Sequence, residues 1–183
     1  MKKILRIINR FNLGGPTYNA AYLTKYLESD YETLLVGGQH DESEKSSMHI
    51  LEGLDLKPII IPEMQRSINA YKDQIAYRKI QNIIREFKPD IVHTHASKAG
   101  TLGRKAAYKL GIKQIYHTFH GHVFHSYFGS FKTKIFKEIE RNLAKKTTKI
   151  IAISDIQKRE LSKIHRICLE EKIEVIPLGF DLK

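Results

Sequence analysis

The sequence predicts a doubly wound, Rossmann-like α/β domain, and three observations lead to that prediction. Short β-rich runs alternate with helical patterns along all 183 residues. A glycine pair, Gly14-Gly15, lies between the first strand and the first helix, and histidines gather after two later strands. Alternating strands and helices imply a parallel sheet, here of about seven strands, with helices on both faces. Ligands of such sheets bind beyond the carboxyl ends of the strands.

Each strand is a short run rich in Ile, Leu and Val, and turn residues such as Gly37-Gly38 and Pro62 end several of them. Each helix shows apolar residues three or four positions apart, as from Ile75 to Phe87, and Gly111 closes one helix. In chain order, the predicted elements are strand Lys3–Asn9, helix Pro16–Glu28, strand Glu32–Val36, a short helix up to Leu54, strand Lys57–Ile61, a helix within Ile68–Phe87, strand Asp90–Thr94, helix Lys98–Leu110, strand Lys113–Thr118, helix Phe131–Lys146, strand Lys149–Ile153, helix Asp155–Leu169 and strand Glu174–Ile176.

The domain organisation follows from the length and from the last predicted strand. A chain of this length corresponds to one domain, which we place at residues 1–177. The strand at Glu174–Ile176 runs directly into a Pro and a Gly. We therefore expect residues 178–183 to begin a hinge towards a second domain.

Composition restricts the cellular setting. A single cysteine, Cys168, excludes an internal disulfide and suits a reducing cytosol. No stretch approaches the roughly 20 apolar residues that cross a bilayer. Near the start, Arg6, Asn9 and Arg10 interrupt the apolar run, which indicates a first strand and not a signal peptide. We expect a soluble, cytoplasmic domain.

The net charge of +11 and the pI near 9.6 favour an anionic partner. Basic residues recur along the helix at 131–146, opposite its apolar residues, and these are Lys134, Lys137, Arg141 and Lys145. This face is either a solvated surface or one that rests against anionic lipid at the inner side of the cell membrane. Nucleic acid is not expected as a partner, because no binding motif or aromatic platform accompanies the charge.

The Gly14-Gly15 turn has two interpretations. Glycines at a helix start let backbone N–H groups approach a phosphate. No Gly-x-Gly-x-x-Gly or Gly-Lys-Ser/Thr accompanies the pair, so neither the dinucleotide fingerprint nor a phosphate loop is present. The alternative is a plain tight turn between strand and helix.

Six of the nine histidines fall between positions 93 and 125, after the fourth and fifth strands. Residues two apart on a strand face the same side, so His93 and His95 are expected to converge. Imidazoles bind zinc, but no acidic residue lies between Asp90 and Glu138 to support metal ligands. We therefore favour sugar and phosphate contacts over a metal site.

Five segments together resemble the N-terminal half of a family 4 glycosyltransferase, a retaining enzyme of the GT-B fold. The segments are Leu13-Gly-Gly-Pro16, Asp90-Ile-Val-His-Thr-His-Ala-Ser-Lys-Ala-Gly-Thr-Leu-Gly-Arg104, His117-Thr-Phe-His-Gly-His122, Ile151-Ala-Ile-Ser154 and Val175-Ile-Pro-Leu-Gly-Phe-Asp181. Each motif alone is weak, but their order along the predicted elements is specific. Many members build bacterial capsule, exopolysaccharide and O-antigen chains.

The resemblance implies roles for named residues. His120 corresponds to the catalytic histidine beside the transferred sugar, and Gly14 and Gly15 to the turn that approaches the donor diphosphate. Lys98 and Arg104 are expected to meet an acceptor phosphate. The remaining acceptor or cleft positions are Thr17, Asn19, His95, Ser97 and His122. The family needs no metal and no other cofactor.

The resemblance also implies partners, and this chain departs from the family pattern in two respects. The donor is a nucleotide sugar, held mostly by the second domain, and the acceptor is lipid-linked or a glycan. Many relatives carry Glu shortly after the glycine pair, where this chain has Pro16-Thr17-Tyr18-Asn19. Because the second domain lies outside the chain, we expect no transfer by this domain alone. The alternatives are a stand-alone sugar- or nucleotide-binding module and a zinc-dependent hydrolase.

Overall fold

A computed structural model of the protein describes residues 1–121 and 130–179. Seven parallel strands form one sheet in the order β3-β2-β1-β4-β5-β6-β7. The elements are β1 (Lys2–Arg10), α1 (Gly15–Lys25), β2 (Tyr31–Gly38), α2 (Met48–Gly53), β3 (Ile59–Ile60), α3 (Ala70–Phe87), β4 (Ile91–His95), α4 (Ser97–Lys109), β5 (Gln114–Phe119), α5 (Ser130–Lys145), β6 (Lys149–Ala152), α6 (Asp155–Arg159) and β7 (Ile173–Val175). The predicted doubly wound fold is confirmed.

Most elements agree with the prediction to within a few residues at each end, although β2 includes Gly37 and Gly38, which were predicted to end it. Two further elements differ more. The strand predicted at Lys57–Ile61 contains only Ile59–Ile60, because Pro58 before it and Pro62 after it lack the N–H that a ladder needs. The helix predicted to reach Leu169 ends at Arg159 and continues as a π-helical turn over Glu160–Ile164. Arg166 then has a φ of 50°, which turns the chain back towards the sheet.

The two faces of the sheet carry different layers. Leu5 and Ile7 of β1 belong to a buried cluster with residues of α3 and α4. Ile8 points to the opposite face and packs with α1 and α2. This alternation is the period of two expected for a strand covered on both sides. The order of strands reverses between β1 and β4, which makes their carboxyl ends the switch point where ligands bind in such folds.

Two glycines allow α4 to lie very close to the sheet. A Cβ atom at Gly100 would be 2.5 Å from Cε1 of His117, and one at Gly103 would be 2.7 Å from Cγ2 of Thr94. Both distances are too short for real carbon atoms, so a larger residue at either position would push the helix outward. The small residues therefore fix the position of α4 against β4 and β5.

A buried ion pair joins α4 to α5. The Nη2 group of Arg104 donates to Glu140 at 2.6 Å, and Nε donates to the Gly100 carbonyl at 2.8 Å. The Arg104 side chain is 0 % exposed and that of Glu140 is 5 % exposed. The pair orients the two helices relative to each other, because neither charge has water as an alternative partner.

The helix α5 corrects part of the predicted pattern. Ile135, expected on the apolar side, is 45 % exposed, whereas Leu143, also expected there, is buried. Arg141, predicted on the basic outer face, donates from Nε to the Arg166 carbonyl and from Nη2 to the His165 carbonyl, both at 3.0 Å. It holds the turn after α6 instead of facing solvent freely. Among the described residues, no helix has the length and apolarity to span a bilayer.

The Arg104–Glu140 pair generates a stability prediction. Arg104→Met and Glu140→Leu should each lower the free energy of unfolding by about 3–5 kcal/mol, because each leaves a buried charge without its partner. The double variant should recover most of that loss, since it removes both charges together. Urea unfolding of the four proteins measures the effect. Single losses that add up in the double variant would show that the two residues act independently.

Candidate functional site

The carboxyl ends of β4 and β5 bring three histidines together. His93 and His95 lie on the same face of β4, with ring centroids 4.2 Å apart. Their separation by two positions along the strand predicted this arrangement. The Nε2 atom of His93 is 2.8 Å from Oγ1 of Thr118 on β5. Because β4 and β5 pair in parallel, residues beyond their ends face a common space.

His95 and His120 form a hydrogen-bonded pair. Nδ1 of His95 lies 2.9 Å from Nε2 of His120, and the rings stack at 5.2 Å. The other nitrogen of each ring, Nε2 of His95 and Nδ1 of His120, has no hydrogen-bond partner within the described structure. His95 is fully buried, so it acts as a fixed support for the less buried His120.

His117 is separate from this group. It lies on the opposite face of the sheet, where Nδ1 is 2.9 Å from Oγ1 of Thr94 and the ring contacts Gly100. Its ring meets Phe119 edge-on at 4.6 Å. It is therefore a buried packing residue between β5 and α4.

Burial keeps these histidines neutral. Desolvation lowers the pKa of His120 to about 4 and, together with the nearby Arg6 charge, that of His93 to about 3. Desolvation also lowers the pKa of His95 well below its usual range. At neutral pH the pair at the strand ends therefore consists of two uncharged imidazoles.

A neutral pair has a defined hydrogen-bonding capacity. One nitrogen of the His95–His120 contact carries the proton and the other accepts it. If Nδ1–H of His95 donates, His120 must carry its own proton on Nδ1, the buried ring nitrogen that has no partner within the described structure. An N–H group held in this way stabilises negative charge on a nearby oxygen.

The Gly14-Gly15 turn begins α1 directly after β1. The Gly14 carbonyl accepts from the N–H groups of Thr17 at 3.1 Å and Tyr18 at 3.3 Å, and no side chain caps the helix. The Thr17 hydroxyl donates to the Asn12 carbonyl at 2.7 Å, so Thr17 stabilises the turn and does not face an acceptor. Asn19 lines a cavity on the sheet face next to α1.

Two predicted acceptor contacts are placed differently by the structure. The Lys98 ammonium donates to the Ser67 carbonyl and pairs with Asp73 at 2.7 Å, which fixes it to α3. Arg104 is fully buried and paired with Glu140. Both residues lie on α4 as expected. The Arg104 charge is buried and paired, so it is not accessible to an acceptor phosphate, and the half-buried Lys98 charge is already paired with Asp73.

Two predicted acceptor positions remain, Ser97 and His122. Ser97 is a half-buried residue at the start of α4, directly after Ala96, whose φ of 63° is unusual for a residue with a side chain. His122 lies outside the described residues. Within the described ranges no three His, Cys, Asp or Glu side chains form a metal-binding group.

The prediction missed Arg6 and Thr118. Arg6 lies inside the central strand β1 and is 2 % exposed, next to His93. A charged residue within the run Ile4-Leu5-Arg6-Ile7-Ile8 was the available signal, since a strand covered on both faces is normally apolar throughout. Thr118 had no such signal, because threonine is ordinary in a strand.

Comparison with known proteins identifies the family of this chain. The model of Glycosyltransferase Family 4 matches residues 13–183. The chain is 34 % identical over 147 residues to the UDP-Gal:alpha-D-GlcNAc-diphosphoundecaprenol alpha-1,3-galactosyltransferase of Escherichia coli. The aligned residues are 76 % of this chain and 36 % of that enzyme.

Solved structures share the fold at low identity. A glycosyltransferase from Rickettsia africae superposes with a TM-score of 0.70 at 22 % identity, over 96 % of this chain and 42 % of that one. The UDP-GlcNAc 2-epimerase of Methanocaldococcus jannaschii, in complex with UDP-GlcNAc and UDP, superposes with a TM-score of 0.68 at 20 % identity. The superposition covers 95 % of this chain and 46 % of that one. The chain thus spans less than half the length of these relatives. The match over residues 13–183 shows that this chain belongs to glycosyltransferase family 4.

Proposed function

We propose that this chain is the acceptor-side half of a retaining glycosyltransferase that transfers a sugar from a UDP-sugar donor to a lipid-linked acceptor. The observation that carries the proposal is the His95–His120 pair at the carboxyl ends of β4 and β5. It places a neutral, oriented imidazole at the edge of the sheet where α1 also begins. This is the edge at which ligands of doubly wound domains bind.

The chemistry assigned to His120 is hydrogen-bond donation. As the bond between the sugar and the diphosphate breaks, negative charge grows on oxygen atoms near the transferred sugar. A donor whose proton is fixed in advance by His95 stabilises this charge without reorganising. The Gly14-Gly15 turn, with its uncapped helix start, is the proposed approach for the donor diphosphate.

The choice of substrates rests on the relatives. The similar enzyme from Escherichia coli acts on a diphosphoundecaprenol-linked sugar and takes galactose from UDP-Gal. The similar structure from Methanocaldococcus jannaschii holds UDP-GlcNAc and UDP. We extend to this chain the UDP-sugar class and the lipid-linked acceptor, as in surface polysaccharide synthesis, and leave the sugar itself open.

The proposed division of the enzyme follows from length. The chain covers 36 % of the curated relative, so that protein contains a large region without a counterpart here. We propose that residues 178–183 lead into a second domain, which binds most of the donor. A stand-alone binding module and a zinc hydrolase are less favoured, because family membership points to transfer.

An exposed basic surface supports a proposed position at the membrane. The outer sides of α4 and its neighbour α5 expose lysines on one side of the domain. Lys146 lies over the Tyr108 ring, with Nζ 4.8 Å from the centroid, and links the two helices. The exposed lysines are Lys105, Lys109, Lys134, Lys145 and Lys146. We propose that this surface rests on the anionic inner face of the cell membrane.

The first prediction from the proposed function concerns His120 in the enzyme extended by its second half. His120→Ala should lower kcat by roughly 10²–10³-fold, the scale for loss of one transition-state donor. Steady-state rates on the same acceptor measure the effect, with the exposed His49→Ala as matched control. Because the His120 pKa is about 4, kcat of the parent enzyme should not change through His120 titration between pH 6 and 8. Near-normal turnover by folded His120→Ala would contradict the role.

The second prediction concerns residues 1–183 alone. This chain should transfer no sugar, because the reacting groups must be positioned from both sides of a cleft. Its affinity for UDP-sugars should also be weak, because the second half is expected to make most donor contacts. Incubation with radiolabelled UDP-sugars and a lipid-linked acceptor is the measurement. Turnover that scales with the amount of chain added would refute the division into halves.

The third prediction concerns the lysine surface. The protein should bind vesicles containing anionic lipid, with up to about 1 kcal/mol from each nearby lysine. Binding should disappear near 1 M salt, where the Debye length falls to about 3 Å. Changing Lys109, Lys134 and Lys145 to Glu should weaken sedimentation with vesicles. The matched control changes the exposed Lys2, Lys45 and Lys57 to Glu, which alters net charge equally. Equal losses in both triple variants would show that only net charge matters.

A further inference from the structure

A buried glutamine, Gln157, lies on α6 beside the carboxyl ends of β5 and β6. The residue is 3 % exposed, and an amide at this depth is costly unless both its oxygen and its nitrogen have hydrogen-bond partners. Oε1 accepts from the backbone N–H of Ile153 at 2.9 Å, and Nε2 donates to the Gly121 carbonyl at 3.1 Å. Both ends of the amide are therefore satisfied by backbone groups.

These partners fix the orientation of the Gln157 amide. A flipped amide would set its NH₂ group against an N–H and its oxygen against a carbonyl oxygen, so only one orientation forms both bonds. The backbone of Gln157 is also fixed, because its N–H donates to Oγ of Ser154, the N-cap residue of α6, at 3.2 Å. The side chain is thus held at its base and at its tip.

The amide continues the contact between β5 and β6 beyond their last paired residues. These residues are Phe119 and Ala152. Ile153 follows β6 directly, and Gly121 lies two residues beyond the end of β5. Because Gln157 accepts from one segment and donates to the other, its amide joins them as a peptide group of a strand would. The segment after β5 is therefore tied to the end of β6.

This link holds the backbone next to His120, the residue between Phe119 and Gly121. The His120 ring lies 2.9 Å from His95 on β4, measured from Nε2 to Nδ1. Gln157 holds the following residue from the β6 side. Since β4 and β6 are the two neighbours of β5 in the sheet, His120 is held from both sides.

Capping alone does not account for this arrangement. A glutamine at the third position of a helix ordinarily caps the helix start through its side-chain oxygen. The Oε1 contact with Ile153 resembles that role, although the donor is the residue before the N-cap. Capping makes no use of Nε2, so the bond to Gly121 is an additional feature.

We propose that Gln157 is a positioning residue for His120. Its amide fixes the backbone directly after His120, so that the imidazole stays against His95 with its N–H direction set in advance. The inference rests on the proposed catalytic role of His120 and requires no contact between Gln157 and a substrate. A displacement of about 1 Å at a reacting group can cost about 10²-fold in rate, so a residue that fixes the backbone can have a large effect.

Kinetics of the enzyme extended by its second half test the proposal. Gln157→Met keeps the length of the side chain and removes both hydrogen bonds, so kcat should fall by roughly 10–100-fold, with KM for the donor little changed. The matched control is Gln81→Met, the same change at a buried glutamine of α3 whose Nε2 contacts the Tyr77 hydroxyl. Its kcat should stay normal. Normal kcat for folded Gln157→Met would overturn the proposal.

Gln157→Glu separates positioning from capping and keeps the shape of the side chain if Gln157→Met does not fold. At pH 8 the carboxylate still accepts from Ile153 but cannot donate to Gly121, so kcat should fall as in Gln157→Met. Burial raises the pKa of such a carboxyl, so protonation at lower pH restores a donor. Activity relative to the parent enzyme should recover at least five-fold from pH 8 to pH 5.5. Equal relative activity at both pH values would assign Gln157 to capping and reject the proposal.

The double variant His120→Ala/Gln157→Met shows whether Gln157 acts through His120. If it does, kcat of the double variant should equal that of His120→Ala, because a ring that is absent cannot also be displaced. Losses that multiply would show that Gln157 acts through another part of the enzyme, and the positioning role would be rejected.

NMR titration of residues 1–183 tests the geometry without turnover. Burial lowers the pKa of His120 to about 4, so its ring signals should not titrate between pH 5.5 and 8 in the unchanged chain. In Gln157→Met the less firmly held ring should gain solvent, and its pKa should rise towards the ordinary value of 6.5. An unchanged His120 profile in this variant would refute the positioning role. Normal turnover by His120→Ala would instead refute the proposed function, and the titration would still decide the role of Gln157.

Discussion

The close contact of α4 with the sheet is the constraint on which the site depends. Gly100 and Gly103 leave no room for a Cβ atom against His117 and Thr94. The helix start at Ser97 follows His95 after one residue, so a displaced helix would also displace the end of β4. His95 in turn holds His120 through the 2.9 Å contact. Two small residues thereby set the geometry of the His120 imidazole, directly after β5.

The fold was largely predictable because its signals are local and repeated. Apolar periodicity located the seven strands and six α-helices that the structure describes, and errors occurred where prolines restricted Ile59–Ile60 or where the helix after Asp155 changed to a π turn. Neither change alters which side chains are apolar, so the pattern could not show it. The convergence of His93 and His95 was also predictable from their spacing along one strand.

The environment of charged residues was not predictable. Lys98 and Arg104 resemble ligand-binding cations in the sequence, but each is neutralised by an acidic residue distant along the chain, Asp73 or Glu140. The reverse holds for Arg6, which breaks an apolar run in the sequence and is buried without a counter-charge among the residues that the structure describes. Whether a cation is free depends on tertiary pairing, and a single sequence contains no local signal of that pairing.

The two outermost strands are the shortest of the sheet, with two residues in β3 and three in β7. Prolines follow both, Pro62 after β3 and Pro177 after β7, and Pro58 precedes β3. A long edge strand exposes unpaired N–H and C=O groups that can pair with another molecule. Short edge strands flanked by proline expose few such groups. The parallel sheet thus ends on both sides in a way that disfavours self-association and fibril growth.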